Sequence, residues 1–209
     1  MDTLIPVAVV LASYLLGSLS FAVIVSRLMG LNDPRSYGSK NPGATNVLRS
    51  GSKKAAILTL LLDAFKGWLP VAMVLAWGPE HGLGPEMAAL AGLAAFLDHL
   101  YPVFFGFVGG KGVATAVGVV IGVHGTLALA TVLSFAIVLY FSRYVSLASM
   151  VAAVFAPVFY LFGDGVAWQA SAAEVLSLSA MALLLVWRHR ENIHRLLSGT
   201  ESQLGVKKP

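Results

Sequence analysis

Cysteine is absent from the 209 residues. That removes disulfides, thiolate nucleophiles and thiolate zinc sites at once. Charge is nearly as scarce: Asp, Glu, Lys and Arg make up 11% of the chain, where a soluble domain carries about 25%. No long polar segment exists from which a separate soluble domain could be built. The five histidines contain no His-x-x-x-His or comparable pair, so no metal site is expected, and no cofactor motif is evident. A basic n-region is missing from Met1-Asp2-Thr3, so no removable signal peptide is expected.

What fills the chain instead is apolar sequence. Hydrophobic residues account for 57%, and the mean hydropathy is +0.81. A membrane-crossing helix needs about 20 predominantly apolar residues. Runs over roughly 4–29, 53–77, 85–100, 113–123, 126–141, 145–162 and 170–187 predict an all-α integral membrane protein with seven transmembrane helices. It forms a single membrane-embedded domain over 1–209. The run 113–123 is short, and His124-Gly125 breaks it from the next, so a re-entrant pair is the alternative there. Small residues Gly17, Ser18 and Ser20 in the first run favour close helix packing.

Positive charge sets the orientation. Of the 14 Lys and Arg, Arg27, Arg35, Lys40, Arg49, Lys53 and Lys54 flank the first loop. Lys111 lies in the second loop and Arg143 in the third. Arg188, Arg190, Arg195, Lys207 and Lys208 lie in the tail. Only Lys66 falls inside a span. The opposite turns, near Glu80, His124 and Asp164, hold none. The N-terminus is therefore expected outside (periplasmic), the C-terminus in the cytoplasm, and every polar motif on the cytoplasmic side. A net charge of +4 in such a protein points to topology and to anionic lipid or substrate rather than to nucleic acid.

Three polar stretches carry the chemistry. The first reads Gly38-Ser39-Lys40-Asn41-Pro42-Gly43-Ala44-Thr45-Asn46-Val47-Leu48-Arg49. Short hydroxyl and amide side chains on a turning backbone can present N–H and O–H groups to an anion, and Lys40 and Arg49 add charge. The second runs from His99 to Thr115 and contains Gly109-Gly110-Lys111-Gly112. A glycine turn entering a helix aims free N–H groups at an anion, with the macrodipole assisting. Gly112 follows Lys111 where a nucleotide-binding P-loop requires Ser or Thr, which disfavours a nucleoside triphosphatase. The third is the tail His189-Arg190-Glu191-Asn192-Ile193-His194-Arg195, with Gly199 and Glu201 beyond it. Arg143, Ser146 and Ser149 sit at the cytoplasmic start of the sixth span. Asp63 and Lys66 share a helix face by their spacing, as an ion pair or facing a substrate. Together these groups can clamp phosphates beside an apolar interior. Two readings meet that description: an enzyme acting on phosphate plus acyl chain, and a small-anion or phosphate-ester transporter. A transporter should show matched halves with broken helices, and no convincing repeat is found.

The three motifs, in this order and over nearly the whole chain, closely resemble the bacterial acyl-phosphate:glycerol-3-phosphate acyltransferase (PlsY) family. The resemblance implies an inner-membrane, multi-pass enzyme that moves an acyl group from acyl phosphate to the sn-1 hydroxyl of glycerol 3-phosphate. The products are lysophosphatidic acid and phosphate, at the first step of membrane phospholipid synthesis. The enzyme that makes acyl phosphate is a candidate partner. By the same resemblance, Ser39, Asn41, Gly43, Thr45 and Asn46 hold the acyl phosphate. Arg49, Lys111, Arg143, Ser146, Ser149, His189 and Asn192 form the glycerol 3-phosphate site. Ser39, Arg49, Lys111, His189 and Asn192 are the catalytic set, and Asp63, Lys66, His99, Gly109, Gly110, Gly112, Arg195 and Glu201 support it. Three positions depart from the family pattern: Lys40 and Asp98 stand where Gly is common, and Ser20 where Pro is frequent.

Overall fold

The computed structural model describes residues 4–205; Lys207 and Lys208, expected to add to the tail charge, lie outside them. Within the described residues ten α-helices follow one another: α1 (Leu4–Gly17), α2 (Phe21–Leu28), α3 (Ala44–Leu48), α4 (Lys53–Trp77), α5 (Pro85–Leu100), α6 (Val113–Val123), α7 (Gly125–Ser142), α8 (Val145–Phe162), α9 (Ala172–Arg188) and α10 (Arg190–Leu197). Among the described residues the only β-pairing is an isolated bridge between Asp164 and Trp168.

The expected first span, read as one run from 4 to 29, is corrected to two helices that meet at 43°. The break at Ser18-Leu19-Ser20 frees backbone groups that a membrane interior cannot hydrate. A side chain from elsewhere takes up one of them, and a side chain of the break anchors the second polar loop. Lys66 Nζ donates to the Leu19 carbonyl at 2.7 Å, and Ser18 Oγ accepts from Phe104 N–H at 3.1 Å. α9 and α10 meet at 56°. Among the described residues, four helices are long and apolar enough to cross a membrane, or six if each bent pair counts as one. α6 has 11 residues, about 16 Å of helix, too short to cross a hydrocarbon core of about 30 Å by itself.

Local sequence explains the helix ends. Ser52 caps α4, its Oγ accepting from Ala55 N–H at 3.2 Å. Pro85 opens α5 at a position where its missing N–H costs nothing. A capping box of Ser171 and Glu174 starts α9. Glu174 also accepts from Tyr160 Oη at 2.7 Å, which ties the start of α9 to α8.

α5 forms the centre, packed by α1, α4, α6 and α9. Phe96, Leu100, Val71, Val119, Leu127 and Leu185 make up the middle of the main core. α4 and α6 cross at near backbone contact: a methyl on Gly118 would overlap the Ala64 carbonyl oxygen. A smaller core of Ala22, Val25, Val47, Ala55 and Ala56 lies beneath the first polar loop and fixes α3 against α2 and α4. The polar loops are thereby held at one end of the bundle.

Candidate active site

The first loop is closed by its own asparagine. Asn46 is buried; its Oδ1 accepts from Ser39 N–H at 3.0 Å, and its Nδ2 donates to the carbonyls of Pro34 at 2.6 Å and Tyr37 at 3.1 Å. With both amide hydrogens and the oxygen engaged, Asn46 shapes the loop from within. The hydroxyls of Ser39 and Thr45 stay exposed, and Asn41 and Gly43 are half-buried between them. Lys40 takes φ +54°, a left-handed conformation that suits glycine better than a side chain. This gives a physical reason for the glycine that the family resemblance leads one to expect there. A cavity of about 340 Å³ opens beside Arg49, lined also by Gly30, Leu31, Asn32, Tyr37 and Ser50.

The second loop and the tail interlock. Lys111 Nζ donates to Asn192 Oδ1. Asn192 Nδ2 donates to Glu201 Oε1 at 2.6 Å, and Ser146 Oγ donates to the same oxygen at 2.7 Å. Arg195 Nε donates to Glu201 Oε2 at 2.6 Å. Glu201 thus gathers α8, α10 and, through Asn192, the lysine of the second loop. The tail continues to the first loop, where Arg49 donates to Ser202 Oγ at 3.1 Å. Gly110 is the point at which the two loops touch: a methyl there would overlap His99 Nε2 and lie 3.0 Å from the Pro42 carbonyl oxygen.

Charge in this cluster is finely set. Burial, with Arg195 adding like charge, pulls the Lys111 ammonium down to about 8. Burial and then the Lys111 charge push the His189 imidazole down to about 4, so it is neutral at physiological pH. Its Nδ1 lies 2.8 Å from the Leu185 carbonyl oxygen, which can only accept. Nδ1 therefore carries the proton and Nε2 offers a lone pair. Burial opposes the charge of Glu201, but hydrogen bonds from Asn192, Ser146 and Arg195 outweigh it and hold the carboxyl below its ordinary value.

Other expected residues are placed differently. Ser149 is buried and its hydroxyl donates to the Val145 carbonyl at 2.8 Å. Arg143 is exposed in a left-handed turn at φ +60°, and its carbonyl accepts from Leu204 N–H at 2.8 Å. Asp63, Lys66 and His99 lie beneath the loops. Lys66 is 1% exposed and pairs with Asp63 at 2.9 Å; its ammonium faces a carboxylate and a helix break. Gly109 and Gly110 carry carbonyls that accept from Arg188 at 2.8 and 3.1 Å. Arg188 and Ser202 were not among the expected site residues. The charge of Arg188 reads from sequence as topology, and Ser202 gives no signal without the fold.

Comparison with known proteins assigns the arrangement. The glycerol-3-phosphate acyltransferase family profile matches residues 7–199. A glycerol-3-phosphate acyltransferase of Albidiferax ferrireducens is 64% identical, covering 99% of this chain and 92% of the relative. One from Bordetella petrii is 60% identical, covering 96% and 94%. Among solved structures, the crystal structure of PlsY (YgiH), an integral membrane glycerol 3-phosphate acyltransferase in its glycerol 3-phosphate form, superposes with a TM-score of 0.87 at 40% identity, covering 96% of each chain. Its lysophosphatidic acid form superposes at 0.85 and 38% identity, covering 96% of this chain and 95% of that one. With nearly full-length matches to both sequences and structures, the chain belongs to the PlsY-type glycerol-3-phosphate acyltransferases, integral membrane enzymes of phospholipid synthesis.

Proposed function

We propose that the acyl donor is acyl phosphate and that the acceptor is the sn-1 hydroxyl of glycerol 3-phosphate, with lysophosphatidic acid and inorganic phosphate as products. The observation that carries this reading is the contact of two anion-suited loops at Gly110, one presenting Ser39 and Thr45, the other Lys111. Relatives crystallised with glycerol 3-phosphate and with lysophosphatidic acid support the acceptor and the product. Ser39, Asn41, Gly43 and Thr45 hold the donor phosphate, and Asn46 shapes their loop. Lys111, Arg49, His189 and Asn192 hold glycerol 3-phosphate, with Ser146, Ser149, Arg143, Arg195 and Glu201 behind them. The enzyme sits in the bacterial inner membrane with seven spans, the short α6 crossing where the bilayer thins around it, its N-terminus periplasmic and the site cytoplasmic. The one-sided distribution of Lys and Arg supports this orientation.

Acyl phosphate is a mixed anhydride and already reactive. The enzyme's task is to align two anionic substrates and to neutralise their repulsion. The acceptor oxygen attacks the acyl carbon and forms the new ester. The carbon–oxygen bond to phosphate breaks, and the hydroxyl proton passes to a phosphate oxygen. An imidazole held near 4 is a weak base. His189 Nε2 therefore serves to orient the hydroxyl by accepting its hydrogen bond.

Purified protein given palmitoyl phosphate and glycerol 3-phosphate should release inorganic phosphate only when both are present. Release without acceptor would make the protein a hydrolase, and transfer only from acyl-CoA or acyl carrier protein would overturn the donor assignment. A pH series carries a second prediction. Phosphate binding requires Lys111 charged, and the free ammonium titrates at about 8. The acceptor phosphate, whose second proton leaves near 6, is already a dianion. KM for glycerol 3-phosphate should rise about twofold between pH 7 and 8 and then by up to about tenfold per pH unit. A KM unchanged to pH 9.5 would remove Lys111 from the binding site.

A further inference from the structure

His99 closes α5 and is 7% exposed, yet the reaction above makes no use of it. Its imidazole is held on one side and pressed on the other. Nδ1 lies 3.1 Å from Thr115 Oγ1 and 3.7 Å from Asp63 Oδ1. Asp63 is itself fixed by Lys66 at 2.9 Å, and Lys66 by the Leu19 carbonyl at 2.7 Å. On the other side Nε2 abuts Gly110 so closely that no side chain fits between them. The His99 carbonyl accepts from Gly110 N–H at 3.0 Å, and Arg188 holds the Gly110 carbonyl at 3.1 Å. Across Gly110 stands Pro42 of the first loop.

We infer that His99 is a positioning residue that fixes the separation of the two substrate loops. It backs Gly110 against Pro42, while Asp63 and Thr115 keep the ring facing that way. The inference rests on the two-substrate reading, in which the loops each hold one phosphate. Each loop keeps its own ligands when the ring is removed: Lys111 remains with Asn192, and the first loop remains closed by Asn46. Both substrates should still bind, but without a fixed spacing. A misplacement of about 1 Å between reacting atoms costs on the order of 100-fold.

The test is a double-variant cycle on the full-length protein, with kcat and both KM values measured on the folded fraction from size exclusion. His99→Ala is expected to lower kcat by about 30- to 100-fold, with KM for glycerol 3-phosphate and for palmitoyl phosphate each within about threefold. His99→Gln, which returns an amide to the Nε2 position, should recover most of the loss. Gly110→Ala should be severely impaired alone. In the His99→Ala background its methyl enters vacated space, so the pair should be no worse than His99→Ala by itself, a strongly non-additive result. Additive losses overturn the inference. So does a raised KM for glycerol 3-phosphate at unchanged kcat, which would assign His99 to the Lys111 loop alone. If His99→Ala does not fold, His99→Asn replaces it in the cycle and the same two outcomes decide. Failure of palmitoyl phosphate as donor would instead overturn the donor assignment, and the cycle is then read with whichever donor acylates glycerol 3-phosphate.

Discussion

Lys111→Ala is expected to lower kcat/KM for glycerol 3-phosphate by about 10²- to 10³-fold, the range seen when one preorganised charge-stabilising donor is lost. The size follows from the surroundings. Lys111 is half-buried, held by Asn192, and placed at the N-terminus of α6, whose macrodipole adds to its charge. Water cannot supply an equivalent cation in that position. Because Asn192 is fixed in turn by Glu201, the variant should fold normally, and its thermal midpoint should stay within a few degrees of wild type. Steady-state kinetics over a range of glycerol 3-phosphate checks the first statement and thermal unfolding in detergent the second. Asn192→Ala should cost less, and the double variant little more than Lys111→Ala, since both changes remove one unit. Near-normal turnover in Lys111→Ala would refute the phosphate role.

Lys66→Met should be the most damaging change to the fold. It leaves the Asp63 carboxylate buried without its partner and the Leu19 carbonyl without a donor in the membrane interior. Breaking a buried ion pair by removing one partner costs about 3–5 kcal/mol. The predicted result is a large fall in folded protein recovered by size exclusion, with what remains unfolding at a markedly lower temperature. Removing the carboxylate as well, in Asp63→Leu with Lys66→Met, should restore most of the stability. A single variant as stable as wild type would show that the pair does not brace the break between α1 and α2.

The helices were legible because an apolar run long enough to span a membrane has few alternatives. α4 and α5 occupy the residues that the hydropathy marked. The break in the first run was not legible. Ser18 and Ser20 read as small packing residues, and what opens the helix there is tertiary: the reach of Lys66 to one carbonyl and of Phe104 N–H to one hydroxyl. The start of α9 near 170 follows from hydropathy alone, and the Ser171–Glu174 capping box fixes it to the residue. In the site, glycine and lysine announced the loops. Sequence grouped Asn46 with the ligands because its chemistry matches theirs; only the fold shows its amide turned inward. The family resemblance gives Glu201 a supporting role, yet its place at the junction of Asn192, Ser146 and Arg195 depends on helices distant in sequence. The transporter alternative shared the same loops and fell to the family match, not to any single residue.

Glu201 also sets an order of assembly within the polar end of the bundle. The groups it gathers are translated earlier, from Lys111 through Ser146 to Asn192 and Arg195. A nascent chain already inserted through α9 has its bundle but not the carboxylate that organises the bundle's polar end. That carboxylate lies later in the chain than every group it binds. Closure of this polar end is therefore a docking of the segment after α10 onto helices that can already be packed without it.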